Sequence, residues 1–181
     1  QNAQHEVEIA TQIQASLLPR PTRAADCEFA AFMLPAAEVG GDYYDVIPSG
    51  DAVYVTIGDV SGHGLQAGLV MLMAQSAVAA LIRSNPHVTP AEVVVHVNQI
   101  LYENLRNRLG RWEHLTLTVM RIDANGTVTH AGAHEDILVK RATGAVERLA
   151  TQGAWVGALP DITAGTRSST FAVGPGDLIV L

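Results

Sequence analysis

Two short segments rich in aspartate and glycine flank one strand–turn–strand unit, and they limit most strongly what this chain can form. Segment 39–45 (VGGDYYD) opens one apolar, strand-like run, and segment 58–64 (GDVSGHG) follows the next one. Between the two runs, residues 49–51 (SGD) have the composition of a tight turn. The resulting hairpin would bring Asp42 and Asp59 to the same end of adjacent strands.

A pair of carboxylates beside glycines suits a hard divalent cation, which prefers oxygen ligands. Two such ions about 3.5–4 Å apart can share one bridging water and hold a phosphoryl group, so the pattern favours metal-assisted phosphate chemistry. The plainer alternative is that Asp42 and Asp59 are turn or cap residues, since aspartate beside glycine is common in turns. Because both lie within one hairpin, we favour the interpretation as metal ligands.

The loop Gly62-His63-Gly64 allows several interpretations. It lacks the features of a Walker loop and the dinucleotide-binding spacing, and Ser61 does not lie in a nucleophile elbow. A serine hydrolase is therefore not indicated, and a nucleotide-binding regulator is a distant alternative. His63 is either a general acid for the leaving group, a residue that orients a ligand, or a loop histidine that bonds the backbone.

Composition restricts the class of protein. The 181 residues are 48% hydrophobic, enough for one domain with a sizeable core, and the formal net charge of −7 argues against nucleic-acid binding. Cys27 is the single cysteine, which rules out an internal disulfide, and no signal-peptide pattern opens the chain. These features predict a cytoplasmic protein.

Residues 67–82 are apolar, but Gln75 and Ser76 interrupt them, so we predict a buried helix rather than a membrane span.

Hydrophobic spacing predicts an α+β domain of layered helices and sheets. Helices are predicted over residues 3–18, before Pro19 and Pro21, over 67–82, and from a capping box at 89–92 to Gly110. The buried stripe of the last helix is predicted to contain Val93, Val97, Ile100, Leu101 and Leu105. Strands are predicted over 28–36, 42–47 and 52–57, and residues after 115 alternate with period two around turns at Asn125-Gly126 and Thr143-Gly144.

Two further clusters have both plain and functional interpretations. On a strand, His130 and His134 would share a face that could suit a transition metal, although a structural hairpin is the favoured interpretation. Arg106, Arg108 and Arg111 form a small basic group, for which a solvated surface is the default and partner docking or phosphate steering the alternative.

Segments 39–45 and 58–64 together resemble the bacterial SpoIIE/RsbU-type phosphatases, which belong to the metal-dependent PPM (PP2C-like) serine/threonine phosphatases. The resemblance extends over nearly the whole chain. Segment 8–19 resembles the linker helix of that family, segment 130–139 its mid-domain hairpin, and segment 174–178 the strand before its next acidic motif.

This resemblance implies an α-β-β-α sandwich of two antiparallel sheets flanked by helices. It also implies two Mn²⁺ or Mg²⁺ ions held by Asp42, Asp59 and the Val60 carbonyl oxygen, with Asp59 bridging the ions. Water would attack a phosphoserine or phosphothreonine directly. Asp42 and Asp59 are then the expected catalytic residues, together with His63, which is a candidate from its place in the loop and is offset from the histidine of the animal and plant relatives. The implied substrate and partner is a phosphorylated STAS-type anti-sigma-factor antagonist.

The same resemblance divides the chain into a linker or regulatory helix, residues 1–20, and a phosphatase domain, residues 21–181. The chain stops inside the apolar run 176–181, before further acidic motifs of the family, so the domain is expected to be incomplete at its C-terminus. The alternative is a catalytically inactive module of the same fold that binds a signalling partner. The N-terminal helix is expected either to pair with a second copy or to dock on the domain and set the geometry of the metal site.

Overall fold

The computed structural model describes residues 2–19, 23–24, 26–34 and 39–181. The helices are α1 (Asn2–Leu17), α2 (Gly64–Ser84) and α3 (Pro90–Tyr102), which continues as a π-helix over Glu103–Arg108, and a short 3-10 turn spans Thr163–Gly165. The strands are β1 (Arg23–Ala24), β2 (Cys27–Glu28), β3 (Asp42–Ser49), β4 (Ala52–Val60), β5 (Leu115–Ile122), β6 (Thr127–Ala133), β7 (Ile137–Lys140), β8 (Val146–Leu149), β9 (Ser169–Ala172) and β10 (Leu178–Val180).

Two antiparallel sheets form the centre of the molecule. The larger has the strand order β3-β4-β5-β6-β9 and the smaller the order β10-β7-β8, while β1 and β2 form a separate pair. Every named strand pair is antiparallel. The predicted α+β class with two antiparallel sheets is therefore confirmed.

Alternation along the strands of the larger sheet divides its side chains between two hydrophobic clusters. On one face, Tyr54 and Leu117 pack with α2 and α3. On the other face, Val53 and Met120 pack with Ile137 of the smaller sheet. The larger sheet is thus sandwiched between helices and the smaller sheet, and this arrangement decides which way each site residue points.

Helix α2 lies at the centre of the helical layer. It contacts α1, α3, β3 and β4, and its buried residues include Val70, Met71, Ala74 and Val78. By length and apolar composition alone it could cross a membrane, but those side chains are occupied by the domain core. The prediction of a buried helix is confirmed.

Two sequence-based strand boundaries and one prediction of burial were wrong. The strand predicted over 28–36 is limited to β2, because residues 29–34 pair with no strand, and residues 29–32 border a cleft of about 620 Å³ beside β10; residues 35–38 lie outside the described ranges. Ile100 is exposed, and Asn98 occupies the buried stripe instead. Strand β4 continues through Val60, so Asp59 lies inside the strand rather than after it.

Asn98 is buried because a loop supplies the hydrogen-bond partners of its amide. Its Nδ2 donates to the Leu159 carbonyl at 3.0 Å, and its Oδ1 accepts from the Gly157 N–H at 2.7 Å. A periodic pattern cannot foresee a polar core residue whose partners are about 60 residues away in the chain.

Gly132 and Gly144 provide a matched test of the sheet packing. Both have positive φ, +92° and +93°, but a Cβ on Gly132 would lie 2.0 Å from the Leu117 carbonyl oxygen, whereas a Cβ on Gly144 has nothing within 4 Å. Gly144→Ala should therefore cost about 1–2 kcal/mol of unfolding free energy from backbone strain. Gly132→Ala should cost about 1–3 kcal/mol more, because β5 must also move. Urea denaturation of both variants measures this difference, and equal losses would contradict the close packing of β5 on β6.

Candidate metal centre

Asp42 and Asp59 lie directly opposite each other on β3 and β4. Val60, which follows Asp59, and Tyr43, which follows Asp42, belong to the hydrophobic cluster between the larger sheet and the helices. Successive side chains of a strand point to opposite faces of the sheet. Both aspartates therefore lie on the face of the larger sheet that is turned toward the smaller sheet. Both are exposed at one end of the strands. The juxtaposition expected from the hairpin is confirmed, while their role as metal ligands stays a prediction.

The surroundings of Asp59 disfavour the ionised form of its carboxyl group. Partial burial raises the pKa of Asp59, the negative charge of Asp42 raises it further, and His134 acts in the opposite direction. Holding like charges opposite each other costs energy, and a bound cation would offset that cost. The local electrostatics would therefore favour a bound cation.

Gly41 allows the backbone after Asp59 to approach the start of β3. The Val60 N–H donates to the Gly41 carbonyl oxygen at 3.1 Å. A Cβ on residue 41 would lie 2.7 Å from the Val60 carbonyl oxygen and 3.1 Å from Asp59 Oδ1. The absence of a side chain at Gly41 thus leaves the Val60 carbonyl and the Asp59 carboxylate close together.

These oxygen atoms fit a hard divalent cation. Asp42 and Asp59 supply carboxylates and Val60 supplies a carbonyl, the donor types that Mg²⁺ and Mn²⁺ prefer. Among the residues that the structure describes, no three His, Cys, Asp or Glu side chains converge as a ready-made metal cage. A cation bound here would therefore have few protein ligands, as is typical of Mg²⁺ sites that retain water molecules.

The side chain of Gln14 attaches helix α1 to this edge. Gln14 is buried, its Nε2 donates to the Gly40 carbonyl oxygen at 2.7 Å, and its Oε1 accepts from the Gly40 N–H at 3.1 Å. The amide therefore satisfies both polar groups of a residue two positions before Asp42. The helical pattern of α1 did not identify Gln14, because a glutamine among Glu and Gln residues carries no special signal.

Thr116 and His134 form a polar contact beside Asp59. Thr116 Oγ1 accepts from the Asp59 N–H at 3.2 Å and lies 2.8 Å from His134 Nδ1. Thr151 holds the backbone of His134, accepting from its N–H and donating to its carbonyl oxygen. The sequence singled out His134 only as a partner for His130, so its position next to Asp59 was not predicted.

The two histidines have different surroundings, and the hypothesis of a shared metal site is not supported. His130 is buried, and its ring meets the edge of Phe171 at a centroid separation of 6.0 Å. Burial lowers the pKa of His130. His134 instead contacts Thr116, so the hairpin interpretation is the one that fits.

His63 is exposed at the N-cap of α2, and its side chain makes no capping hydrogen bond.

The three arginines of the predicted basic group each contact neighbouring residues. Arg108 pairs with Glu103, and Arg111 pairs with Glu113 and also donates to Gln66 of α2. The Arg106 guanidinium donates to the Arg111 carbonyl and lies over the Trp112 ring. The arginines are therefore engaged with neighbours rather than forming a free basic surface.

Sequence comparison relates the chain to bacterial regulatory phosphatases. The family model described as Stage II sporulation protein E (SpoIIE) matches residues 49–181. The chain is 29% identical over 106 residues to the phosphoserine phosphatase RsbU of Bacillus subtilis (strain 168), an alignment that covers 58% of this chain and 31% of RsbU. The chain therefore spans about a third of the length of that curated relative.

Structural comparison agrees with this relationship. The SiaA-PP2C domain of Pseudomonas aeruginosa matches with a TM-score of 0.75 at 18% identity, covering 98% of this chain and 70% of that one. The RsbU and RsbW domains of Rv1364c from Mycobacterium tuberculosis match with a TM-score of 0.64 at 25% identity, covering 80% of this chain and 38% of that one. The fold is that of a PP2C domain. Since the family model covers more than half of the sequence, the chain belongs to the SpoIIE family of PP2C-like phosphatases.

Proposed function

We propose that this chain is a metal-dependent phosphoserine/phosphothreonine protein phosphatase domain of bacterial partner-switching signalling. The observation that carries the proposal is the facing pair Asp42 and Asp59, with the Val60 carbonyl beside them. Membership of the SpoIIE family and similarity to the phosphoserine phosphatase RsbU support it.

In this proposal, Asp42, Asp59 and the Val60 carbonyl hold Mn²⁺ or Mg²⁺, with two ions in the complete site. When bound, the metal supplies positive charge for the phosphoryl oxygens and lowers the pKa of a water molecule. The protein contributes a defined edge: Gly41 leaves the space, Thr116 holds the backbone of Asp59, and Gln14 holds Gly40. His63, exposed four residues after Asp59, is the proposed general acid for the leaving group.

The proposed substrate is a phosphorylated STAS-type anti-sigma-factor antagonist in the cytoplasm. Similarity to RsbU and to the RsbU and RsbW domains of Rv1364c supports this assignment. The division into a regulatory helix (residues 1–20) and a phosphatase domain (residues 21–181) belongs to the same proposal.

The competing function is a non-catalytic module of this fold that binds a signalling partner, and it is favoured by the small number of acidic residues at the described site.

Asp59→Asn tests the catalytic proposal. Because it removes a ligand, Mn²⁺-dependent hydrolysis of para-nitrophenyl phosphate should fall by more than the roughly 10–100-fold that loss of an outer-shell partner costs. Asp51→Asn, in the turn at the other end of the same hairpin, should retain the wild-type rate. The assay should compare the 181-residue chain with a C-terminally extended version. Metal-independent rates, or wild-type activity in Asp59→Asn, would contradict the metal assignment, and no activity in either length would favour the binding module.

The same variant makes a stability prediction in the absence of metal. The raised pKa of Asp59 means that its ionised form is disfavoured in the folded protein. Asp59→Asn should therefore have a higher Tm than the wild type at neutral pH. The difference should shrink as the pH falls through the folded-state pKa toward the unfolded value, because the wild-type carboxyl then becomes neutral. Thermal melts with a chelator from pH 7 to pH 4 measure it, and a difference that grows on acidification would contradict this electrostatic account.

Gln14→Ala tests whether α1 supports the metal edge, the end of β3 and β4 that carries Asp42, Asp59 and the Val60 carbonyl. Loss of both hydrogen bonds to Gly40 should weaken the apparent Mn²⁺ affinity in the phosphatase assay by about 10–100-fold, as for other outer-shell partners. Gln12→Ala is the matched control, since Gln12 lies on the same helix with an exposed side chain. Equal metal titrations for the two variants would show that α1 docks without affecting the site.

Pairing of α1 with a second copy is a separate proposal. Ile9, Ile13 and Leu17 form an exposed apolar row at helical spacing, on a helix that Gln14 already holds against the domain. Ile9→Lys/Ile13→Lys should convert a dimer to a monomer in light scattering, whereas Gln12→Lys should leave the mass unchanged. A monomeric wild type would contradict the pairing.

A further inference from the structure

Both tryptophans of the chain are exposed, and the segment that carries Trp112 also carries His114, on which Trp155 stacks. Trp112 is 79% exposed and Trp155 is 54% exposed, and His114 lies against Trp155. Tryptophan is highly buried on average, so two exposed indoles are unusual in a chain with so few aromatic residues. We call this surface, made of Trp112, His114 and Trp155, the aromatic ledge.

The Trp155 side of the ledge is held in place by the core. The Trp155 ring stacks on the His114 ring at a centroid separation of 4.7 Å and an interplanar angle of 10°. The next residue, Val156, is buried and exchanges two backbone hydrogen bonds with Leu115, at 2.8 and 2.9 Å. Asn98 holds the loop beyond it through Gly157. The exposed indole is therefore presented by an anchored backbone.

The Trp112 side is supported by the arginine group. The Arg106 guanidinium lies 4.7 Å from the Trp112 ring centroid and donates to the Arg111 carbonyl oxygen at 2.5 Å. Arg111 pairs with Glu113 and donates to Gln66 in the first turn of α2. Rings that are fixed before binding lose little conformational entropy when a partner covers them.

The ledge is continuous with the metal edge. The Ser61 N–H donates to the His114 carbonyl oxygen at 2.8 Å, and Ser61 Oγ accepts from the His114 N–H at 3.0 Å. Ser61 follows Val60 directly and lies two residues after Asp59. A protein that presents a phosphoserine to Asp42 and Asp59 therefore has the ledge within reach of its neighbouring residues.

Charge indicates which kind of segment the ledge accepts. Arg106 and Arg111 are engaged with carbonyl, carboxylate and ring partners, and Arg108 is paired with Glu103. The ledge therefore offers aromatic surface with little unpaired positive charge, which complements an apolar segment rather than an acidic one. Tryptophan is also among the residue types most often found as binding hot spots.

We propose that the aromatic ledge docks the phosphoprotein substrate by covering an apolar side chain next to the phosphorylated residue. This inference rests on the proposed phosphatase function, with the metal edge receiving the phosphate and the ledge supplying affinity for the surrounding protein. A small aryl phosphate bypasses the ledge, so the two substrates separate docking from chemistry.

The test compares Trp112→Ala/Trp155→Ala with the wild type on two substrates, para-nitrophenyl phosphate and a serine-phosphorylated STAS-domain antagonist. We expect the KM for the phosphoprotein to rise roughly 10–30-fold, as for loss of hot-spot residues. Both kcat and the aryl phosphate rate should stay within about twofold. Phe32→Ala, which removes an 86% exposed aromatic outside the ledge, is the matched control and should change neither substrate.

Several outcomes would overturn the proposal: an unchanged KM for the phosphoprotein, a parallel loss on both substrates, or a change in oligomeric mass showing that a second copy covers the ledge. If the wild type hydrolyses neither substrate, the phosphatase proposal fails, and docking is then judged by binding. Because both tryptophans lie in the ledge, their fluorescence should change when the phosphorylated STAS-domain protein is added with Mn²⁺. Absence of a change would overturn docking as well.

Discussion

The placement of two negative charges opposite each other on β3 and β4 is the constraint on which the rest of this site depends. Like charges that face each other on neighbouring strands are unfavourable in a sheet, and the charge of Asp42 adds to partial burial in raising the pKa of Asp59. The surrounding structure accommodates the pair through Gly41, which has no side chain to separate the strands, and Thr116, which binds the Asp59 backbone. A bound cation would offset the repulsion between the two carboxylates and would so account for their placement.

Those parts of the molecule that depend on local pattern could be predicted. The turn at residues 49–51 set the register of β3 on β4, and that register alone places Asp42 opposite Asp59. The capping box at Thr89 and the tight turn at Gly126 likewise follow from short-range chemistry and occur as expected. A one-residue error in the first turn would have separated the carboxylates, so the prediction of the site was only as good as that of the hairpin.

The features that escaped prediction depend on partners distant in the chain. Gln14 and Asn98 are buried because Gly40 and the loop around Gly157 satisfy their amides. His134 gained its position from a contact with Thr116 on a neighbouring strand. Residues 29–34 have the composition of a strand, but their backbone pairs with no neighbouring strand, and residues 29–32 border a cleft instead. In each case tertiary packing, rather than intrinsic propensity, decided the outcome.

The Gln14 contact has a thermodynamic consequence. Release of α1 would remove both hydrogen bonds that the Gln14 amide makes to Gly40, and so would free the backbone that leads to Asp42. If the cation binds more tightly when Gly40 is held, it must by linkage favour the docked helix by the same free energy. A force or ligand that acts on α1 would then change the occupancy of the metal site, and binding of the metal would in turn stabilise the docked position of α1.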